Sequence, residues 1–285
     1  MKQTLLLLFA FIITFTSNAQ RSEAGLLLGC SFYMGDINPN IPFAMSKPAG
    51  GIIYRYNINP RWAFKINGFY GTITSDDAVI KHNEIRNLNF RSPVTDLSAQ
   101  IELNFFPYVT GENTKMNFSP YMFAGIAIFH FNPQAKYDGK YYDLQPLGTE
   151  GQGTSFMPDR NKYSLTDIAI PFGLGLKYSL SNSFCIGAEW SMRKTFTDYL
   201  DDVSTTYVDP IKLSAENTPL AAILADRSIN NNGETSHEGL QRGNSKNDDW
   251  YSFFGVFITY SLKKPGWKHC DAYKNKTPIY REYKY

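Results

Sequence analysis

The stretch Asp167–Asp202, DIAIPFGLGLKYSLSNSFCIGAEWSMRKTFTDYLDD, decides the fold class. In its first arm Ile168, Ile170, Phe172, Leu174, Leu176 and Tyr178 share one face, and Asp167, Ala169, Pro171, Gly173, Gly175 and Lys177 share the other. This is period two, the repeat of a strand whose faces meet different solvents. After a short turn at Ser181, Asn182 and Ser183, Phe184, Ile186, Ala188, Trp190 and Met192 alternate with Cys185, Gly187, Glu189, Ser191 and Arg193. Each arm is about as long as the roughly 9 to 11 residues a tilted strand needs to cross a bilayer. The pair reads as a membrane hairpin with one apolar face and one face carrying Asp, Lys, Glu and Arg.

Upstream, the same pattern predicts strands over Ala24 to Met34, Pro48 to Tyr56, Arg61 onward, Asp96 to Phe105, and Phe118 to Phe131. In the third, Trp62, Phe64, Ile66 and Tyr70 oppose Ala63, Lys65, Asn67 and Gly71; in the fourth, Leu97 to Phe105 oppose Asp96 to Asn104. Both faces of the fifth are apolar, and its sides stay unassigned. An eighth strand runs from Trp250 to Leu262. Long loops are expected at Ser75–Arg91, Asn132–Ser164 and Asp198–Asp248, with a short amphipathic helix around Leu220–Leu224. Long and short connections alternate along the chain. The expected fold is all-β: a transmembrane antiparallel up-and-down β-barrel of about eight strands, with long extracellular loops and short periplasmic turns. At that size side chains fill the interior, so an open pore is not expected.

The ends and the composition agree with export. Lys2, the apolar run Leu5–Phe15 and the small residues Ser17 and Ala19 form a signal peptide with cleavage between Ala19 and Gln20. A lipoprotein signal at Leu27–Cys30 fits less well, since Arg21 and Glu23 interrupt the apolar run. The expected organisation is a signal peptide at 1–19, a barrel at 20–262 and a basic, aromatic tail at 263–285, in the outer membrane of a Gram-negative cell with both barrel ends periplasmic. Aromatic residues make up 15% of the chain, which suits strands and the girdles of a barrel. A net charge of +2 is too small for a nucleic-acid footprint. The three cysteines, Cys30, Cys185 and Cys270, do not make a disulfide framework.

Arg55, Lys65, Glu102, Lys177, Glu189 and Arg193 fall on inward faces, where mixed charges are expected to pair structurally. Of the four histidines, His130 lies in a strand followed by Phe131 and Asn132, so it lacks the His-any-Ser arrangement of a barrel deacylase; His82, His237 and His269 lie in loops or tail. No catalytic residue or cofactor is expected, and the chain reads as a non-enzyme. Asp198, Asp201, Asp202 and Asp209 are rich enough in oxygen for calcium but lack the spacing and internal glycine of a calcium loop. They read as a solvated strand exit with Asx caps. In the tail, Lys263, Lys264, Trp267, Lys268 and Tyr273 suit a free end, a contact with anionic headgroups, or a docking segment.

Three stretches carry a family resemblance: the strand exit Thr197–Tyr207, TDYLDDVSTTY; the last strand from Asp248 to Val256, DDWYSFFGV; and Gly29–Asp36. With them the chain resembles the PorG family, small outer-membrane barrels of the type IX secretion system. The first stretch, containing Asp198, Tyr199, Leu200, Asp201 and Asp202, is the most specific. The resemblance implies a non-enzymatic subunit of a secretion and gliding machine, in contact with a periplasmic lipoprotein ring of the PorK and PorN kind. The alternative is a free-standing barrel acting as an adhesin or a lipid-modifying enzyme.

Overall fold

The computed structural model describes residues 22–108, 117–181, 183–228 and 237–262. The expected cleavage site at Ala19 and Gln20 and the tail residues Lys263, Lys264, Trp267, Lys268 and Tyr273 lie outside the described residues. Eight long strands form the barrel: β1 (Ser22–Met34), β2 (Lys47–Asn57), β3 (Trp62–Asp76), β4 (Asn89–Asn104), β5 (Phe118–Phe131), β8 (Thr166–Ser179), β9 (Phe184–Thr195) and β10 (Trp250–Ser261). Each is antiparallel to its neighbours, in the order β3-β2-β1-β10-β9-β8-β5-β4, and pairing of β3 with β4 closes the ring. Closure leaves no barrel strand edge unpaired, as an apolar solvent demands.

The period-two reading decides what each face meets. Leu28, Ile52, Ile66, Leu97, Ile126, Leu174, Trp190 and Val256, one from each barrel strand, point outward with exposures from 39% at Ile66 to 72% at Ile126. An unbroken apolar belt of that kind is unsuited to water and matches the lipid-facing band of a membrane barrel. In β5 the outward face is Met122, Ala124, Ile126 and Ile128, and the inward face is Tyr121, Phe123, Phe129 and Phe131. The inward face is aromatic because it packs against buried cations: the Lys65 ammonium sits 4.0 Å from the Phe123 ring centre and the Lys177 ammonium 5.0 Å from that of Tyr121.

Two expectations need correcting. β3 and β4 continue to Asp76 and from Asn89, so the polar loop expected at Ser75–Arg91 shrinks to residues 77–88, which hold a single helical turn, α1 (Asp77–Ile80). These strand ends lack an apolar outward face, which hid them from a hydrophobic pattern. The loop expected at 132–164 contains the hairpin β6 (Gln134–Tyr137) and β7 (Lys140–Asp143). Its two-residue turn, Asp138-Gly139, has φ of 47° and 76°, the left-handed pair that brings strands back in register.

At the opposite end from the short turns, the long loops pack into a cap. The helices α2 (Pro210–Glu216) and α3 (Pro219–Ala225) bury Leu213, Ala221 and Ala225 with Val208 against Leu147, Phe156 and Met157. Each helix starts at a capping side chain followed by proline: Asp209 accepts from Ile211 N, and Thr218 from Ala221 N. A column of rings, Tyr251, Phe129, Phe131, Tyr163 and Tyr199, runs from the barrel interior into this cap with centroid separations of 4.5–6.3 Å.

Candidate functional site

Two polar centres are buried in the molecule, one inside the barrel wall and one where the cap meets its mouth. The lower is a charge network inside the wall. Glu102 takes the Arg55 fork, Nε at 2.8 Å and Nη2 at 3.0 Å, with the Lys177 ammonium at 3.1 Å and that of Lys65 at 3.5 Å. Arg55 also donates from Nη1 to Glu23 at 3.0 Å, and Lys65 donates to Glu189 at 2.6 Å, where the Tyr121 hydroxyl also donates at 2.7 Å. Higher up, Arg193 donates to Asp96 at 2.9 Å beside the Tyr251 hydroxyl at 3.0 Å. All six charges singled out from the sequence thus lie in one interior, with side chains 0–1% exposed. Glu23 and Asp96 complete it; in the sequence Glu23 sits just outside the strand pattern that begins at Ala24, and Asp96 shows only as an alternating position. Glu102, Arg55, Lys65 and Lys177 are fully buried, so their side chains pack the interior at that level.

The upper centre is where the cap meets the barrel mouth, and the stretch Asp198–Asp202 builds it. These residues are not a solvated strand exit: Asp198 is 7% exposed, Asp201 1% and Asp202 0%. For Asp201 and Asp202 the burial is matched by donors from distant parts of the chain. Asp202 accepts from the hydroxyls of Thr149 and Tyr163. Glu150, fully buried, accepts from the backbone N–H groups of Ser204 and Thr205, from the Thr205 hydroxyl, and from Arg242 at 2.9 Å. Arg242 donates in addition to the carbonyls of Ala225 and Asp202. Arg86 forks onto Asp77 at 2.8 Å and donates to the carbonyls of Arg242 and Asp36.

At the base of the cap, the Tyr33 hydroxyl lies 2.6 Å from Oδ2 of Asp201 and 2.7 Å from Oδ1 of Asp249. The outer oxygens of the two carboxyls accept from Val203 N and Leu200 N, at 2.9 and 3.0 Å. Gly35 makes this approach possible, because a Cβ there would collide with Asp249 Oδ1 and the Tyr33 hydroxyl. Gly243 does the same beside Asp36. Asp198 makes no well-formed hydrogen bond at either oxygen.

Burial sets the electrostatics. It pushes the Asp198 carboxyl up to about 9, with Asp201 adding to the rise and the Ser204 hydroxyl opposing it. Burial, then neighbouring carboxylates, raises Asp201 and Asp249 as a pair. Burial raises Asp202 to about 6, although Arg242 and the two hydroxyls pull it down.

Asp209 does not join its sequence neighbours; it caps α2. Among the described residues, no group of three or more His, Cys, Asp or Glu is arranged to hold a metal ion. His130 faces outward, 3.0 Å from the Thr166 hydroxyl, and His237 pairs with Asp226 at 2.6 Å. His269 lies outside the described residues. Nothing local in the sequence marks Tyr33, Asp77, Arg86, Glu150 or Arg242 as members of the cap junction.

A comparison with curated proteins found no match. Among solved structures, the chain is similar to Ail, the attachment invasion locus protein of Yersinia pestis, at 10% identity over 84% of this chain and 98% of that one, with a TM-score of 0.39. It is also similar to Neisserial surface protein A, at 8% identity over 86% and 97% with a TM-score of 0.40. OprG of Pseudomonas aeruginosa matches at 10% identity over 84% and 96%, also with a TM-score of 0.40. A family model described as "Domain of unknown function (DUF6089)" matches residues 2–217. That match runs through β9 and α2, and the chain belongs to the DUF6089 family.

Proposed function

We propose that this chain is a non-enzymatic outer-membrane barrel of a Gram-negative cell, serving as a docking subunit of a protein-export machine of the type IX secretion and gliding class. The observation that carries the reading is the packed charge network of the interior. With Glu102, Arg55, Lys65 and Lys177 at 0% exposure, the chain offers surfaces rather than a path for cargo. The stretch on which the PorG resemblance chiefly rests, Thr197–Tyr207, is also the one that joins cap to barrel, so its aspartates support a folded architecture rather than a reactive centre.

In this reading the long-loop cap faces outward and the short turns face the periplasm, following the usual asymmetry of such barrels. A periplasmic lipoprotein ring of the PorK and PorN kind then meets the short turns and the tail, with Lys263, Lys264, Trp267, Lys268 and Tyr273 as the basic and aromatic contacts. The test is crosslinking in cells followed by mild-detergent purification of the tagged barrel, with and without residues 263–285. The docking reading expects a periplasmic lipoprotein to co-purify with the full chain and to be lost on truncation while the barrel stays folded. A full-length barrel that stays alone after crosslinking refutes it and returns attention to the free-standing alternatives.

A further inference from the structure

The contacts around Tyr33 hold more acceptors than one hydroxyl proton can serve. A tyrosine O–H donates once. Its oxygen nevertheless lies within short hydrogen-bond distance of two carboxyl oxygens, at 2.6 and 2.7 Å. The second contact needs a hydrogen of its own, and a carboxylic acid proton supplies it. The remaining oxygen of each carboxyl already accepts from a backbone N–H. Asp198 is an independent sign of the same condition: over nine-tenths buried and within electrostatic reach of Asp201 and Asp249, it has neither oxygen in a well-formed hydrogen bond, and the Ser204 hydroxyl only partly offsets its burial. A lone ionised carboxylate in such a place is costly, and neutralisation is the usual relief.

The surroundings supply too little positive charge to do this instead. The charged groups nearest in effect are Asp36 from the β1–β2 loop, Arg86 of the β3–β4 segment with its partner Asp77, and Glu150 from the β7–β8 loop; Asp202 and Arg242 of the β9–β10 loop lie beyond them. Arg86 is held by Asp77 and two carbonyls, and Arg242 by Glu150 and the carbonyls of Ala225 and Asp202. The tyrosines at the rim, Tyr163 and Tyr199, add no charge while their hydroxyls stay protonated.

We infer that Tyr33, Asp201, Asp249 and Asp198 form a proton-holding latch that fastens both ends of the β9–β10 loop to the last residues of β1, so that loss of protons from the cluster loosens the cap while the barrel stays closed. Asp201 lies near the start of that loop and Asp249 is its last residue. The sign follows from linkage: carboxyls that hold their protons more tightly in the closed cap than in the open one make closure strongest at low pH. That contribution is lost as pH rises through the folded-state values, which extend to about 9 at Asp198.

The experiment is hydrogen exchange on the full chain in lipid nanodiscs, between about pH 6 and about pH 9, corrected for intrinsic rates. The reporters are the amides of Leu200 and Val203, which the two carboxyls cap. Protection is expected to fall about tenfold per pH unit for each proton released on opening. Asp249→Asn replaces the shared proton by an amide donor and should flatten the slope by about that factor. A pH-independent wild type, or an unchanged slope in Asp249→Asn, overturns the latch. Should the variant not fold, the wild type's infrared spectrum decides: a protonated-carboxyl band must persist at neutral pH and titrate away above it, and its absence overturns the proposal. The same exchange run in EDTA and in added calcium must agree; protection that needs calcium at alkaline pH makes the cluster a cation site and refutes the proton reading.

Discussion

Glu102→Ala is the most demanding perturbation of this barrel. The carboxylate is fully buried and takes the Arg55 fork at 2.8 and 3.0 Å, the Lys177 ammonium at 3.1 Å and that of Lys65 at 3.5 Å. Without it Arg55 retains Glu23 and Lys65 retains Glu189, each through one short contact. Lys177 loses its carboxylate and keeps the faces of Tyr108 and Tyr121. Breaking a buried ion pair from one side costs about 3–5 kcal/mol, chiefly from the charge left behind. Reversible urea unfolding in lipid vesicles, followed by tryptophan fluorescence, should show a loss of that size. Glu102→Met combined with Lys177→Met should recover part of it, since removing both partners removes the orphaned charge. A Glu102→Ala barrel within about 0.5 kcal/mol of wild type would refute the assignment of Glu102 as the hub of the interior.

Leu174→Arg, on the outward face near the middle of β8, should destabilise the barrel by about 2–4 kcal/mol in the same vesicle assay, whereas a lipid-remote position would show little change. Gly35→Ala should cost about 1–3 kcal/mol, because the added methyl displaces Asp249 or Tyr33; exchange at Leu200 N should report it while amides low in the barrel stay protected. Glu150→Ala leaves Arg242 and the N–H groups of Ser204 and Thr205 without their shared acceptor, so protease should cut the long loop readily while the strands survive; intact loops would contradict its role.

The barrel was legible because membrane strands are written in one dimension. Whether Leu174 faces lipid and Lys177 faces the interior follows from the parity of position alone, so all eight strands and six of the inward charges could be found without knowing their partners. The pattern failed where both solvents are the same. Beyond the apolar belt β3 and β4 lack a hydrophobic face, and the β6–β7 hairpin was marked only by the turn pair Asp138-Gly139. Tertiary structure alone decided the fate of Asp198, Asp201 and Asp202. A run of acids reads as solvated until its neighbours in space are known: here Tyr33 donates to Asp201, Thr149 and Tyr163 donate to Asp202, and Asp198 is buried with neither oxygen in a well-formed hydrogen bond. Asp249 reaches Tyr33 across 216 positions, and Arg242 reaches Glu150 across 92. Alternation is a property of neighbours along the chain; the neutralisation of buried charge depends on neighbours in space, and only closing the barrel and folding the cap brings them together.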